Sequence, residues 1–270
     1  MIVLIRGGGQ VGSGVALRMH RAGFRVAISE LEKPLAVRRA VSFAEALYTG
    51  ETIVEGITAK KISDPSDSLR ILQVFAKGII PVMIDPKGDA VQFLHPTVVV
   101  DARMQNERVE LDPRRVTLLI GLGARFEAAV NCHAVVETER GYNLGRVYWQ
   151  GTTETSANQV ESMTLVNEAS EIYAPADGVI EALANIGDRL EVEQPVASIN
   201  GHPVVAPIRG VLTGLIHEGL EIQKGMKIGE INPGDDPRLC SLISARCLAI
   251  AGGVLEAILS KVELRPHLWK

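Results

Sequence analysis

The sequence is poor in aromatic residues. Phe, Tyr and Trp make up 4% of its 270 residues, too few to build the stacking platforms that hold single-stranded nucleic acid. It has no excess of positive charge. Lys and Arg number 28 against 32 Asp and Glu, a formal net charge of -4. A binder of the phosphate backbone carries a basic face, so nucleic acid is not expected as a partner. The three cysteines, Cys132, Cys240 and Cys247, form no C-x-x-C pair and no secreted disulfide framework. The longest apolar runs, such as VTLLIGLGA over 116–124, fall short of the roughly 20 residues a membrane span needs. The opening lacks a basic stretch leading into a long apolar one with a cleavage site. The expectation is a cytoplasmic protein with reduced thiols and no membrane partner.

What is present is ordinary for a globular chain: 46% hydrophobic and 22% charged residues, with length enough for a large core. The first thirty residues carry the sharpest pattern. IVLI (2–5) is a short apolar run of the kind buried on both faces of a parallel sheet. Gly7, Gly9 and Gly12 follow as G-x-G-x-x-G, with Gly8 between the first two. VGSGVALRMHRAG then reads as a helix stopped by Gly23, and FRVAIS (24–29) as a second strand ending at Glu30.

In such a unit the first glycine permits the tight turn. The second lets backbone amides approach a pyrophosphate, and the third lets helix and strand pack closely. The helix N-terminus adds a partial positive charge. An acid closing the second strand accepts hydrogen bonds from ribose hydroxyls and repels a 2′-phosphate. Two readings stand side by side: a dinucleotide site, and glycines that serve only a tight corner.

The alternation continues. Residues 34–48 read as a helix, 52–62 as a strand or hairpin, and 67–78 as a helix capped by Asp67 or Ser66. Strands follow at 79–85, 97–103 and 116–126, and 131–151 reads as two strands around RGYNLG. Strands alternating with helices predict an α/β fold with a Rossmann-like parallel sheet over residues 1–165. Ligands of such sheets lie beyond the carboxyl ends of the strands. Those ends carry the glycine loop, Glu30, Asp85, Asp101 with Arg103, and a second glycine loop at Gly121 and Gly123. His133 is a further candidate polar site residue. The plainer reading of each acid is a helix cap or turn former. Cys132 and His133 are adjacent rather than at metal-ligand spacing, so no metal is expected. The polar stretch 152–162 reads as a loop or linker.

The second half contains an internal repeat. Residues 174–199 align without gaps on 206–231, an offset of 32. Ala174, Pro175, Gly178, Val179, Leu183, Gly187 and Ile199 recur as Ala206, Pro207, Gly210, Val211, Leu215, Gly219 and Ile231. Short strands with glycine turns at regular spacing predict a small all-β module over 171–232. It resembles the biotinyl/lipoyl barrel-sandwich hybrid family. Carrier members of that family bear a lysine on the hairpin joining the halves. Here the joint is NGHPVV (200–205), so no lipoyl or biotin attachment is expected. A C-terminal helix is expected over 236–262, started by Asp236 and Pro237 and packing back on the first domain. Cys240 and Cys247 read as core residues. Gly252 and Gly253 inside the helix imply close approach by another backbone or a ligand.

Taken together, VLIRGGGQVGSGVALRMHRAGFRVAISE, PVMIDPKGD, VVVDARM, LIGLGARF, HAVVETERGYNLGRVYWQG and AIAGGVLEAIL resemble the YqeB-type accessory proteins of selenium-dependent molybdenum hydroxylases. These are distant relatives of the XdhC/CoxI maturation factors. The resemblance spans nearly the whole chain. It departs at Ala124–Arg125, where family members tend to have Pro-Gly, at Asn131 in place of aspartate, and at Tyr142 in place of histidine. It implies a maturation role for a molybdenum hydroxylase, with that enzyme or its maturation machinery as partner and a dinucleotide or molybdopterin-type ligand. The alternatives are an NAD-dependent oxidoreductase and a protein-docking module whose glycine loop is non-functional. No catalytic residue stands out, and a homo-oligomer is left open.

Overall fold

A computed structural model describes residues 1–104, 111–153 and 170–267. The first half is built on a nine-stranded sheet. Its members are β1 (Ile2–Arg6), β2 (Arg25–Glu30), β3 (Glu51–Val54), β4 (Ile57–Ile62), β5 (Ile80–Ile84), β6 (Val98–Asp101) and β7 (Leu118–Leu122). After a short β8 (Glu127–Ala128) come β9 (Ala134–Val136) and β10 (Val147–Tyr148), which complete the sheet; β11 (Gly151–Thr152) pairs with β8. The order is β10-β9-β7-β6-β1-β2-β5-β4-β3. The strands from β9 to β4 run parallel, and antiparallel β10 and β3 close the two edges. The chain builds outward from β1 through β2, then returns to lay β6 on its other side. That reversal is a topological switch point, where an open α/β sheet presents a crevice.

Side chains alternate across each strand. Val3 and Ile5 face one core and Leu4 the other, all three fully buried. The first face carries α1 (Gln10–Arg21) and, from the far end of the chain, α5 (Ala245–Ser260). The second carries α3 (Ser68–Ala76), capped by the Asp67 side chain, and α4 (Ala90–Leu94). Helices α1 and α5 cross closely because Gly14 leaves room: a Cβ there would lie 2.8 Å from Cys247 Cβ. At Gly253 a Cβ would lie 2.2 Å from the Gly145 carbonyl oxygen. Gly253 thus meets another backbone, whereas Gly252 has nothing nearer than 3.9 Å.

Two helix expectations need correction. Residues 34–48 form not a helix but a loop, two 3-10 turns (Arg39–Val41 and Phe43–Glu45) and a single α turn, α2 (Ala46–Thr49). Tertiary contacts override propensity here. Val37 packs against Gly214, Arg38 pairs with Glu230, and Arg39 donates to the Leu215 carbonyl at 2.7 Å. The C-terminal helix starts later than Asp236. That residue caps a separate 3-10 turn, Pro237–Ser241, and α5 is capped by Ser244, whose hydroxyl accepts from Cys247 N. Within Pro237–Ser260 an 18-residue window has mean hydropathy 1.8, long and apolar enough to cross a membrane by length and composition alone. Its Ile250, Val254 and Ile258 are fully buried in the α1 core.

The second half is a two-sheet β module. Its strands are β12 (Ser170–Tyr173), β13 (Gly178–Ala182), β14 (Arg189–Leu190), β15 (Pro195–Ile199), β16 (His202–Val205), β17 (Gly210–Leu215), β18 (Glu221–Ile222) and β19 (Lys227–Asn232). The sheets run β12-β19-β17-β14 and β16-β15-β13-β18. Adding the repeat offset of 32 maps β12 to β16, β13 to β17, β14 to β18 and β15 to β19. Each half lends its short third strand to the other half's sheet: β14 pairs with β17, and β18 with β13. Neither half can close its sheet alone, which is the physical content of the repeat. The joint between the halves is a tight turn at Asn200 and Gly201, both with positive φ.

The module docks on the first half through residues 37–48. His217 stacks on Tyr48 with ring centroids 3.7 Å apart and bonds Glu45 at 2.9 Å.

Candidate functional site

A cleft of about 550 Å³ opens at the carboxyl ends of β1, β2, β5 and β6. Gly7, Gly9 and the first residues of α1 form its floor. Glu30, Asp85, Arg6 and Arg103 form one side. The loop 34–38, Lys227 of β19 and Arg246 of α5 line the cleft as well.

The glycines divide the work. Gly7 turns at φ +98 against Ala102, a conformation that disfavours any side chain. A Cβ on Gly12 would lie 1.9 Å from the Gly7 carbonyl oxygen, so the third glycine is what lets α1 sit on β1. A Cβ on Gly9 would meet nothing within 4 Å among the described residues. Gly9 is also the N-cap of α1, and no side chain caps that helix. Its first N–H groups therefore lack intrahelical partners and open toward the cleft.

Gly8 was expected beside the ligand and is instead part of the scaffold. Its N–H donates to Glu30 Oε2 at 2.7 Å. Its carbonyl accepts from Ala44 N and from the Ser13 hydroxyl, which in turn accepts from Phe43 N. Glu30 takes a second bond from Leu31 N at 2.7 Å. Burial raises the Glu30 carboxyl above the ordinary range, against the lowering effect of those two bonds and of Arg103.

Asp85 borders the cleft, but its two oxygens accept from Asp89 N and Ala90 N at the start of α4. It serves as the turn former that the plainer sequence reading allowed, and burial raises its carboxyl too. Asp101 is 1% exposed and lies behind the cleft wall. It gathers three guanidinium groups: Arg103 at 2.8 Å, Arg6 at 3.5 Å, and Arg125. One buried acid thereby fixes a fan of arginines, two of which, Arg6 and Arg103, reach the cleft.

The second glycine loop and His133 lie elsewhere. The space beside Gly121 is filled by Phe126, whose ring would be 2.0 Å from a Cβ, and Gly123 faces the Thr138 hydroxyl. Arg125 covers that ring at 4.6 Å. These glycines thus accommodate a buried phenylalanine and a tight turn rather than a phosphate. His133 precedes β9, at the amino end of the parallel strands, opposite the cleft. Its Nδ1 accepts from Leu119 N at 2.9 Å. Burial, and secondarily the charge of Lys261, lowers its pKa.

Arg38, Lys227 and Arg246 escaped sequence reasoning. They come from a loop expected to be helical, from the β module and from the C-terminal helix, and no local pattern connects them. Among the described residues no group of three or more His, Cys, Asp or Glu side chains could hold a metal.

No protein-family model matches the chain. It is similar to the uncharacterized protein YqeB of Escherichia coli (strain K12), with 36% identity over 258 residues. That match covers 96% of this chain and 47% of YqeB, so the chain spans about half the length of the relative. The likeness to YqeB drawn from the motifs is supported by this match.

Proposed function

Starting from the similarity to YqeB, we propose that this chain binds a dinucleotide-like ligand in the cleft and serves as an accessory protein rather than a catalyst. The observation that carries the reading is the open amino end of α1 at Gly9, flanked by Arg6 and Arg103. Uncapped amides, a helix dipole and two arginines oriented by a buried acid are suited to a diphosphate. The residues present fit such a group. Gly9, Gln10 and Val11 would hold the diphosphate, and Glu30, which lines the same cleft, would accept from a ribose.

A molybdopterin-type dinucleotide, and a molybdenum hydroxylase as client, follow from the resemblance to the YqeB-type accessory proteins. In this role the chain's own residues bind and orient the ligand. Among the described residues no pair of groups in the cleft is placed as nucleophile and base, which favours handling over turnover.

The experiment is a titration of purified protein with ADP, followed by calorimetry, together with mass spectrometry of small molecules that co-purify with protein prepared natively. Saturable ADP binding, lost in Gly9→Val, supports the reading. A folded protein that ignores ADP overturns it. A saturable quench of NADH fluorescence would favour the oxidoreductase alternative.

A further inference from the structure

The cleft lining contributed by the loop 34–38, β19 and α5 is also cationic. Lys227 pairs with Glu171 and, at 3.1 Å, with Glu230. Arg38 reaches the other oxygen of Glu230 at 3.3 Å. The charge of Arg246 acts on Glu171. Among the described residues, three cations from three distant parts of the chain therefore share two carboxylates, a formal excess of one positive charge in this cluster. Arg38 is 9% exposed, and its Nε–H is buried without a hydrogen-bond partner among the described residues. Leaving such a donor unmet costs stability, although the Nη groups of the same guanidinium are held by Glu230 and, at 2.7 Å, by the Leu239 carbonyl. All three side chains line the same cleft as Gly9.

We propose that Arg38, Lys227 and Arg246 form a second anion subsite, which takes a terminal phosphoryl group of the ligand whose diphosphate lies at Gly9. The inference rests on the diphosphate reading above and adds the far end of the molecule. A phosphoryl group suits the site because it is polyanionic: the Arg246 Nη groups can meet its oxygens while Nε stays on the Thr138 carbonyl, and the ammonium adds a point charge. The β module then supplies one wall of a cleft that the first half leaves open.

The test is calorimetric titration of the full chain with inorganic pyrophosphate. The expected result is two binding events per chain. Gly9→Val removes one and spares the other. Lys227→Gln combined with Arg246→Gln weakens the other about tenfold or more, the loss expected for charge-assisted hydrogen bonds. Lys227→Gln alone changes a side chain 28% exposed and decides the matter should the double variant misfold. A single event, abolished by Gly9→Val, overturns the subsite and leaves the diphosphate reading standing. An event sensitive to Lys227→Gln in a protein indifferent to Gly9→Val does the reverse. Two events untouched by the Lys227 and Arg246 changes overturn the subsite. Displacement by malonate as readily as by phosphate overturns its assignment to a phosphoryl group. No binding overturns both readings.

Discussion

The Glu30 carboxylate accepts the Gly8 N–H at 2.7 Å, closing a bond across 22 residues between the end of β2 and the glycine loop. This bond holds the loop in shape from within. Burial dominates the Glu30 carboxyl and raises its pKa. The native state then keeps a proton that the unfolded chain has already released. Stability from this group is present at low pH and is lost as pH rises from the ordinary carboxylate range through the raised native value. Replacing Glu30 by Gln removes that dependence. Thermal melts of both proteins between about pH 4 and 7 should show the variant gaining relative to wild type as pH rises. A constant difference would sink the assignment.

Gly9 and Gly12 should respond in opposite ways to one added methyl group. Gly12→Ala drives a Cβ to 1.9 Å from the Gly7 carbonyl oxygen and should cost about 3 kcal/mol or more, the upper end for overpacking. Gly9→Ala meets open space at an ordinary φ of -66 and should cost about 1 kcal/mol or less, as an N-cap change does. Urea unfolding separates the two. ADP titration of Gly9→Ala should show weakened binding in a folded protein.

The paired glycines of α5 give a second contrast. Gly252→Ala adds a helix former where nothing lies closer than 3.9 Å and should stabilise by up to about 1 kcal/mol. Gly253→Ala pushes against the Gly145 carbonyl oxygen at 2.2 Å and should destabilise by about 1–3 kcal/mol. Equal melting temperatures for the two variants would contradict the helix placement.

All three cysteines are buried. Burial pushes the Cys132 thiol up to about 12 and raises Cys240 and Cys247 as well. Thiolate is the reactive form, so a disulfide reagent at neutral pH should leave the native thiols unreacted. In denaturant it should titrate three per chain. Rapid labelling of folded protein would show that the core around them opens.

Much of the fold is written in local pattern. Apolar runs of strand length, Gly12 after IVLI, Asp67 before α3 and the 32-residue repeat each act over a few residues, so reading them needs no knowledge of the distant chain. The errors came where distant partners decide. Helical spacing over 34–48 gave way to the docking of Val37, Arg38 and Arg39 on the β module. His133 reads as a site candidate only while the strand boundary is open; the start of β9 at Ala134 fixes it at the amino end, away from the cleft. Gly121 suggested a phosphate loop, and Phe126, five residues on, turned back to fill it.

The sequence by itself determined the glycine-loop corner, the apolar strands of the parallel sheet, and the two-fold pattern of the β module, because each depends on backbone sterics and short-range periodicity. Only the tertiary structure decided what surrounds the ligand. Charges on Arg38, Arg103, Lys227 and Arg246 act through space, and their convergence on one cleft depends on how stretches distant in sequence pack.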